Sequence, residues 1–333
     1  MTTWIDDPTL ITGGILTGFN AAGQGSNPNA SSSAYTASEA STKANRTNYV
    51  MHATYSPMTA PADFTLMGQI MDGTLFGTPR DVIIGCLGFD GFTTGWPAGG
   101  LADFTSGAMD TTMQAWCDLF NTLPPRPVLF RLWREMSGNS TIYGPNGAAQ
   151  SPHAGINESA ATYVTAWRYV ATFFRMRCPY VRMLWCPDAG NARALSSTSP
   201  WYPGDSYVDW NGVDAYVGGP GLKITANMAP LYGGFNSTSG TVSRKPFMVC
   251  ETQVARTDAS RITDLQDYTS AFTTSMPDIP VVCFWDSTSG GPYEIVDVPT
   301  GFLSAFQTVV SSSPFLGTAS ATPTRWKQVK ARI

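Results

Sequence analysis

Two carboxylates stand where chemistry could be done. Val128-Leu129-Phe130-Arg131-Leu132-Trp133-Arg134-Glu135-Met136-Ser137-Gly138 is an apolar run ending on Glu135 among arginines, a tryptophan and a glycine. Lys245-Pro246-Phe247-Met248-Val249-Cys250-Glu251-Thr252-Gln253 repeats the design and closes on Glu251. Hydrolysing a glycosidic bond needs one carboxyl that protonates the leaving oxygen and a second that attacks the sugar or activates water. Singly, Glu135 reads equally as an ion pair with Arg131 or Arg134, and Glu251 as a surface residue at a strand end. Together, at the ends of two buried-looking strands, they suggest sugar chemistry.

The elements that must carry them alternate along the chain. Eight apolar runs read as strands: 15–19, 49–55, 82–89, 128–133, 181–186, 210–216, 246–251 and 281–285. Segments of helical or loop character separate them, which favours a parallel α/β architecture, a single (β/α)8 TIM barrel spanning residues 1–333 with a short basic tail from about 318. Met113, Trp116, Cys117 and Phe120 describe one apolar face of a helix over 111–123. Tyr163, Val164, Trp167, Val170 and Phe174 do so over 158–177. Further helices are expected over 258–272 and 302–310. In such a barrel the carboxylates occupy the C-terminal ends of the fourth and seventh strands, the catalytic face. Long loops at 23–47, 91–106 and 137–156 add candidates for function, the last two lying on that face.

Composition narrows the field. The chain has 333 residues, 43% hydrophobic and 12% aromatic, so a large core is attainable; charged residues are 13%, about half the usual share, and the surface must be rich in Ser, Thr, Asn and Gly. A net charge of −4 leaves no electrostatic footprint for nucleic acid. The basic cluster Arg325, Lys327, Lys330 and Arg332 reads as a solvated end, with docking of an assembly partner as the second reading. No window approaches the roughly 18 apolar residues that span a bilayer. Acids at Asp6 and Asp7 argue against a secretory leader here, unless the leader lies outside this sequence. His52 and His153 are too few and too separated for a triad or a zinc site, and Gly99-Gly100 and Gly218-Gly219 lack a phosphate-loop pattern. Neither metal nor cofactor is expected. The six cysteines, Cys86, Cys117, Cys178, Cys186, Cys250 and Cys283, lack paired spacing and read as buried free thiols, with a Cys178–Cys186 bridge as the exception.

Several segments resemble glycoside hydrolase family 26, a clan A family dominated by β-mannanases. Leu129 to Gly138 looks like its acid/base strand, Val181 to Asp188 its fifth strand and Lys245 to Glu251 its nucleophile strand. Tyr202-Pro203-Gly204-Asp205-Ser206-Tyr207-Val208-Asp209-Trp210-Asn211-Gly212-Val213-Asp214-Ala215-Tyr216 is the most specific match. The resemblance runs from about 89 to 285. It implies a retaining mechanism with Glu135 as acid/base, Glu251 as nucleophile, Tyr216 hydrogen-bonded to the nucleophile and Trp285 as sugar platform. Retention would set the two carboxyls about 5 to 5.5 Å apart. Arg134 replaces the family's usual histidine, Ser137 its asparagine, and Asn139 to Tyr143 its tryptophan-rich continuation, so the resemblance leaves the polysaccharide open.

Strand alternation points Arg131, Trp133 and Glu135 to one side, with Trp133 and Met136 desolvating the acid, and Arg134 to the other. Arg131, Arg134, Asp90, Trp96, Tyr143, Trp201 and Tyr202 are further candidates to contact a glycan, with Asp188 another polar candidate in the cleft and Asp214 just before Tyr216 on the sixth strand. Each could equally anchor a loop, cap a helix or pair with an arginine. The leading reading is a retaining endo-glycosidase on a β-linked polysaccharide, secreted or virion-associated. The alternatives are a weak or inactive barrel that binds host-surface glycan or serves a structural role, as in a phage tail, and an enzyme of another clan A family.

Overall fold

The computed structural model describes residues 5–20, 51–57, 65–74, 81–87, 99–124, 127–133, 159–187, 189, 200–218, 223–236, 245–286, 295 and 297–319. Eight parallel strands close a barrel in sequence order: β2 (Leu16–Asn20), β3 (Met51–Pro57), β4 (Asp81–Leu87), β5 (Val128–Leu132), β6 (Val181–Trp185), β7 (Trp210–Asp214), β8 (Phe247–Thr252) and β9 (Val281–Trp285). Closure is made by β2 against β9, with Leu16 opposite Val281 and Asn20 opposite Trp285. Each of the eight expected runs overlaps one of these strands. They were legible as continuous apolar runs because a parallel sheet is covered on both faces, and β5, β7, β8 and β9 are buried at every residue.

Helices cover the outside: α1 (Thr65–Asp72), α2 (Ala102–Thr105), α3 (Asp110–Thr122), α4 (Ala160–Arg177), α5 (Ile224–Asn236), α6 (Ser260–Ser270) and α7 (Phe302–Val310). The start of α4 is set by Ser159, whose side chain accepts a hydrogen bond from the Thr162 amide at 3.1 Å. Arg175 and Arg177 in its last turn complement the helix dipole. Its buried face includes Tyr163, Trp167, Val170 and Phe174, and α3 buries Met113, Trp116, Cys117 and Phe120, the two stripes expected from sequence. Phe130 of β5 meets Phe174 of α4 at 5.1 Å and Trp116 of α3 at 5.7 Å between ring centroids. Such aromatic packing couples the helical layer to the strand that leads toward Glu135.

A short antiparallel pair, β1 (Ile11–Thr12) with β10 (Thr318–Ala319), joins the two ends of the described fold. The N-terminal segment lies against the barrel interior near the start of β7: the Trp210 indole donates to the Ile5 carbonyl at 2.7 Å, and Asp6 pairs with Arg182 at 2.7 Å. Above it Leu16, Leu129, Leu184, Trp210, Met248 and Val281 fill the interior as one apolar cluster with Cys186, Cys250 and Cys283. The expected Cys178–Cys186 bridge is not formed. Both thiols are free and buried, Cys178 beneath the helices and Cys186 inside the barrel, so the strand between them separates the two layers. Cys117 and Cys250 are likewise free and buried, and Cys283 is a buried thiol outside any disulfide. No helix among the described residues is long and apolar enough to cross a membrane.

Candidate active site

The site forms where β5, β7 and β8 end. Regular alternation along β5 puts Leu129 inside the barrel, Phe130 outside and Arg131 inside. The Arg131 guanidinium forks between two carboxylates: one nitrogen is 2.8 Å from Asp214 Oδ1 and the other is bound to Glu251 Oε1. These side chains are almost fully buried, Arg131 and Glu251 at 2% exposure and Asp214 at 0%. Planar guanidinium geometry suits this double contact in a way an ammonium would not. The second oxygen of Glu251 accepts a hydrogen bond from the Tyr216 hydroxyl at 2.6 Å, the contact that the family resemblance implies. Glu251 is thus held at both oxygens by partners that stabilise negative charge.

A surplus residue in β8 aims it there. Val213 pairs with Val249, but Asp214 pairs with Glu251; on the other edge Val249 pairs with Val282 and Thr252 with Phe284. Both neighbours therefore see one extra residue at Cys250, a bulge of the kind that re-aims side chains beside active sites. Cys250 stays in the interior cluster, and the next residue, Glu251, also faces inward. Thr252 is turned outward, where its hydroxyl bonds the Ala215 carbonyl and the Tyr268 hydroxyl, each at 2.7 Å. Without the bulge, strict alternation would send Glu251 toward the helices.

The end of β5 is irregular too. Trp133 has φ of 46°, a left-handed backbone that is uncommon for a bulky residue and costs about 1–3 kcal/mol. Its ring packs edge-on against Phe104 of α2 at 4.9 Å and meets Tyr163 of α4 at 6.0 Å. The expectation that Trp133 shares a side with Arg131 is corrected: after Leu132 faces outward, the positive φ keeps Trp133 outward as well. It supports the helical layer rather than lining the interior.

The remaining expectations fall as follows. Trp285 is largely buried at the end of β9, its carbonyl accepting from the Gln253 amide at 3.3 Å. Trp201 is half-buried and stands edge-on to Tyr163 at 5.7 Å. Tyr202 is buried against Trp185 at 5.2 Å with its hydroxyl on Asp205. Glu135, Arg134, Asp90, Trp96, Tyr143 and Asp188 lie outside the described residues, as do Ser137 and the basic tail from 320 onward. Sequence reasoning had Asp214 as a polar group before Tyr216 that could equally pair with an arginine, without saying which. Its role as the second carboxylate on Arg131 was accessible from parity, since Asp214 and Gly212 share the inward face of β7. The interior thiols Cys186, Cys250 and Cys283 were read as buried, with nothing in the sequence to show that they gather beneath the site.

Residues 109–245 match the family profile described as glycosyl hydrolase family 26. That span takes in Arg131, Asp214 and Tyr216 and ends before β8. Comparison with curated protein sequences gives no match. Solved structures similar in fold include the Bacillus subtilis mannanase BCman, 17% identical over 91% of this chain and 88% of that one with a TM-score of 0.61. A modular endo-β-1,4-mannanase from Cellulomonas fimi is 16% identical over 90% and 71%, TM-score 0.63. The catalytic domain of the family 26 endo-β-1,4-mannanase of Bacillus sp. JAMB-750 is 14% identical over 90% and 86%, TM-score 0.63. At these identities the structural likeness speaks for the barrel; the family match speaks for a glycoside hydrolase.

Proposed function

We propose that this divergent family 26 glycoside hydrolase is a retaining endo-glycosidase of a β-linked polysaccharide, with Glu251 as nucleophile and Glu135 as acid/base. The observation that carries the reading is the double grip on Glu251. Arg131 and Tyr216 hold its two oxygens, so the carboxylate is oriented and charged before a sugar arrives, which is preorganisation for attack on an anomeric carbon. As the glycosyl–carboxylate bond forms, Glu135 gives its proton to the departing oxygen. It then takes a proton from the water that releases the sugar, so configuration is kept. Asp214 shares the guanidinium and fixes its plane, a positioning role.

Polymeric glycan is the substrate class that the similarity to family 26 suggests. The structural neighbours are described as mannanases, which puts β-1,4-mannan first among candidates. Arg134 and Ser137, in place of the family's histidine and asparagine, are expected to alter the grip on the sugar beside the scissile bond. The test is a panel of mannans, xylans, mixed-linkage glucans and bacterial surface polysaccharides, with the anomer of the first product followed by NMR. Retention, and loss of cleavage in both Glu135→Ala and Glu251→Ala, is the expected result. An inverted first product, or full activity in either variant, would overturn the assignment. Saturable binding without cleavage would favour a glycan-binding barrel instead.

A further inference from the structure

Beneath Glu251 the interior holds two thiols that the glycosidase reading does not use, gathered against the carboxylate of Asp214 that it does. The sulfurs of Cys186 and Cys250 and a carboxylate oxygen of Asp214 all lie within 4.8 Å of one another and are buried. Gly212 makes that meeting sterically available. It sits on β7 between the strands of the two cysteines, and a methyl group there would stand 2.3 Å from Cys250 Sγ, 3.0 Å from Leu184 Cδ1 and 3.7 Å from Cys186 Cβ. We infer that Cys186, Cys250 and Asp214 form a binding site for a soft, thiophilic divalent cation, for which mercury(II) is the fitting probe.

The geometry favours a cation over a disulfide. Strands β6 and β8 each pair with β7, so their backbones are about 9.6 Å apart at a spacing of about 4.8 Å per strand, beyond the roughly 7 Å that a disulfide tolerates. The three donor atoms, all within 4.8 Å of one another, are close enough to share a single ion. Zinc is a poorer match, because structural zinc takes four donors and this group offers three. Hard cations such as magnesium or calcium require several oxygens, and this group offers the oxygen of one carboxylate beside two sulfurs. Charge favours a divalent ion. Binding replaces two thiol protons, M²⁺ + 2 RSH → M(SR)₂ + 2 H⁺, and adds no net charge to an interior that already holds Arg131, Asp214 and Glu251.

Loading would reach Glu251 through two contacts. The Cys186 thiol now donates to Asp214 Oδ1 at 3.3 Å, and the same oxygen receives Arg131. Replacing that proton by a cation turns Asp214 toward the metal and loosens its share of the guanidinium that holds Glu251. This consequence rests on the proposed nucleophile; the binding itself does not.

The test loads the full chain with mercuric chloride, dialyses it against an excess of a small monothiol and measures retained metal by mass spectrometry. The sulfur–mercury charge-transfer band and the titratable thiols are followed in parallel. The wild type is expected to retain one equivalent and to mask two thiols together. Since outer-shell changes at metal sites alone cost about 10- to 100-fold, losing a ligand in Cys250→Ser should weaken retention by at least about a hundredfold. Cys117→Ser, in the helical layer, should leave retention unchanged. Circular dichroism checks each fold, and Cys186→Ser serves as the second ligand variant. Retention in Cys250→Ser and Cys186→Ser equal to wild type, or none in wild type, would overturn the site. If a substrate is cleaved, loss of hydrolysis at one bound equivalent supports the link to Glu251, and hydrolysis by the fully loaded protein overturns that link. Metal retention decides the site whether or not cleavage is found.

Discussion

Removing the guanidinium that holds two buried carboxylates should be severe, and its size can be worked from the network. With Arg131 present, the trio Arg131, Asp214 and Glu251 carries one net negative charge when both acids are ionised; in Arg131→Met it carries two, at side chains no more than 2% exposed. Breaking a buried ion network by deleting one partner costs about 3–5 kcal/mol, because the stranded charge has neither water nor a counter-ion. For a chain of 333 residues, an unfolding entropy near 2.1 cal/mol/K per residue turns this into a midpoint about 4 to 7 °C lower. Urea unfolding followed by circular dichroism and tryptophan fluorescence would measure it, coincident curves licensing a two-state free energy. Asp214→Asn alone leaves Arg131 paired with Glu251 and should be mild. Combined with Arg131→Met it leaves one buried charge rather than two, so the double variant should be more stable than Arg131→Met, with a coupling of at least about 1 kcal/mol. A loss under about 0.5 kcal/mol would refute the charge argument and leave Arg131 as a packing residue.

Two further outcomes follow from contacts on either side of this network. Tyr216→Phe removes the 2.6 Å hydrogen bond to Glu251 while keeping the ring, and a hydrogen bond to a charged group is worth about 1.5–3 kcal/mol. Turnover on the substrate found by the panel should fall about 10- to 100-fold with the fold intact, and an unchanged kcat would remove Tyr216 from the reaction. Gly212→Ala forces a methyl group into Cys250 Sγ and Leu184 Cδ1 and should destabilise by about 1–3 kcal/mol in urea. Adding Cys250→Ala should recover part of that loss; no recovery would mean that the sulfur is not what the glycine makes room for.

The parts of this molecule that follow periodic rules were legible, and those that break them were not. Continuous apolar runs marked all eight barrel strands, and the stripes of α3 and α4 marked two of the covering helices. The helix α5 was missed, since Pro230, Gly233 and Gly234 lie within it and lower helix propensity; tertiary packing overrides them. In the site, parity was right for Arg131 because β5 is regular to Leu132. It failed one step later, where the positive φ of Trp133 reverses it, and it would have failed at Glu251, where the bulge at Cys250 puts two consecutive side chains inside.

These two failures share a cause. A regular strand offers every second residue to the interior, which suffices for filling a barrel with Leu, Met and Val. Bringing an acid onto both Arg131 and Tyr216 requires Glu251 to point inward immediately after Cys250, and a period of two cannot supply that. The surplus residue in β8 supplies it, and its local disruption of the ladder is offset by Thr252, which bonds Ala215 and Tyr268 across the displaced edge. At β5 the left-handed Trp133 is offset by aromatic packing on Phe104 and Tyr163. Irregular backbone thus falls at the ends of the fourth and seventh barrel strands, the two that lead to the proposed pair of glutamates. Departures from pattern concentrated where function is placed are what a selected site, rather than a merely stable barrel, requires.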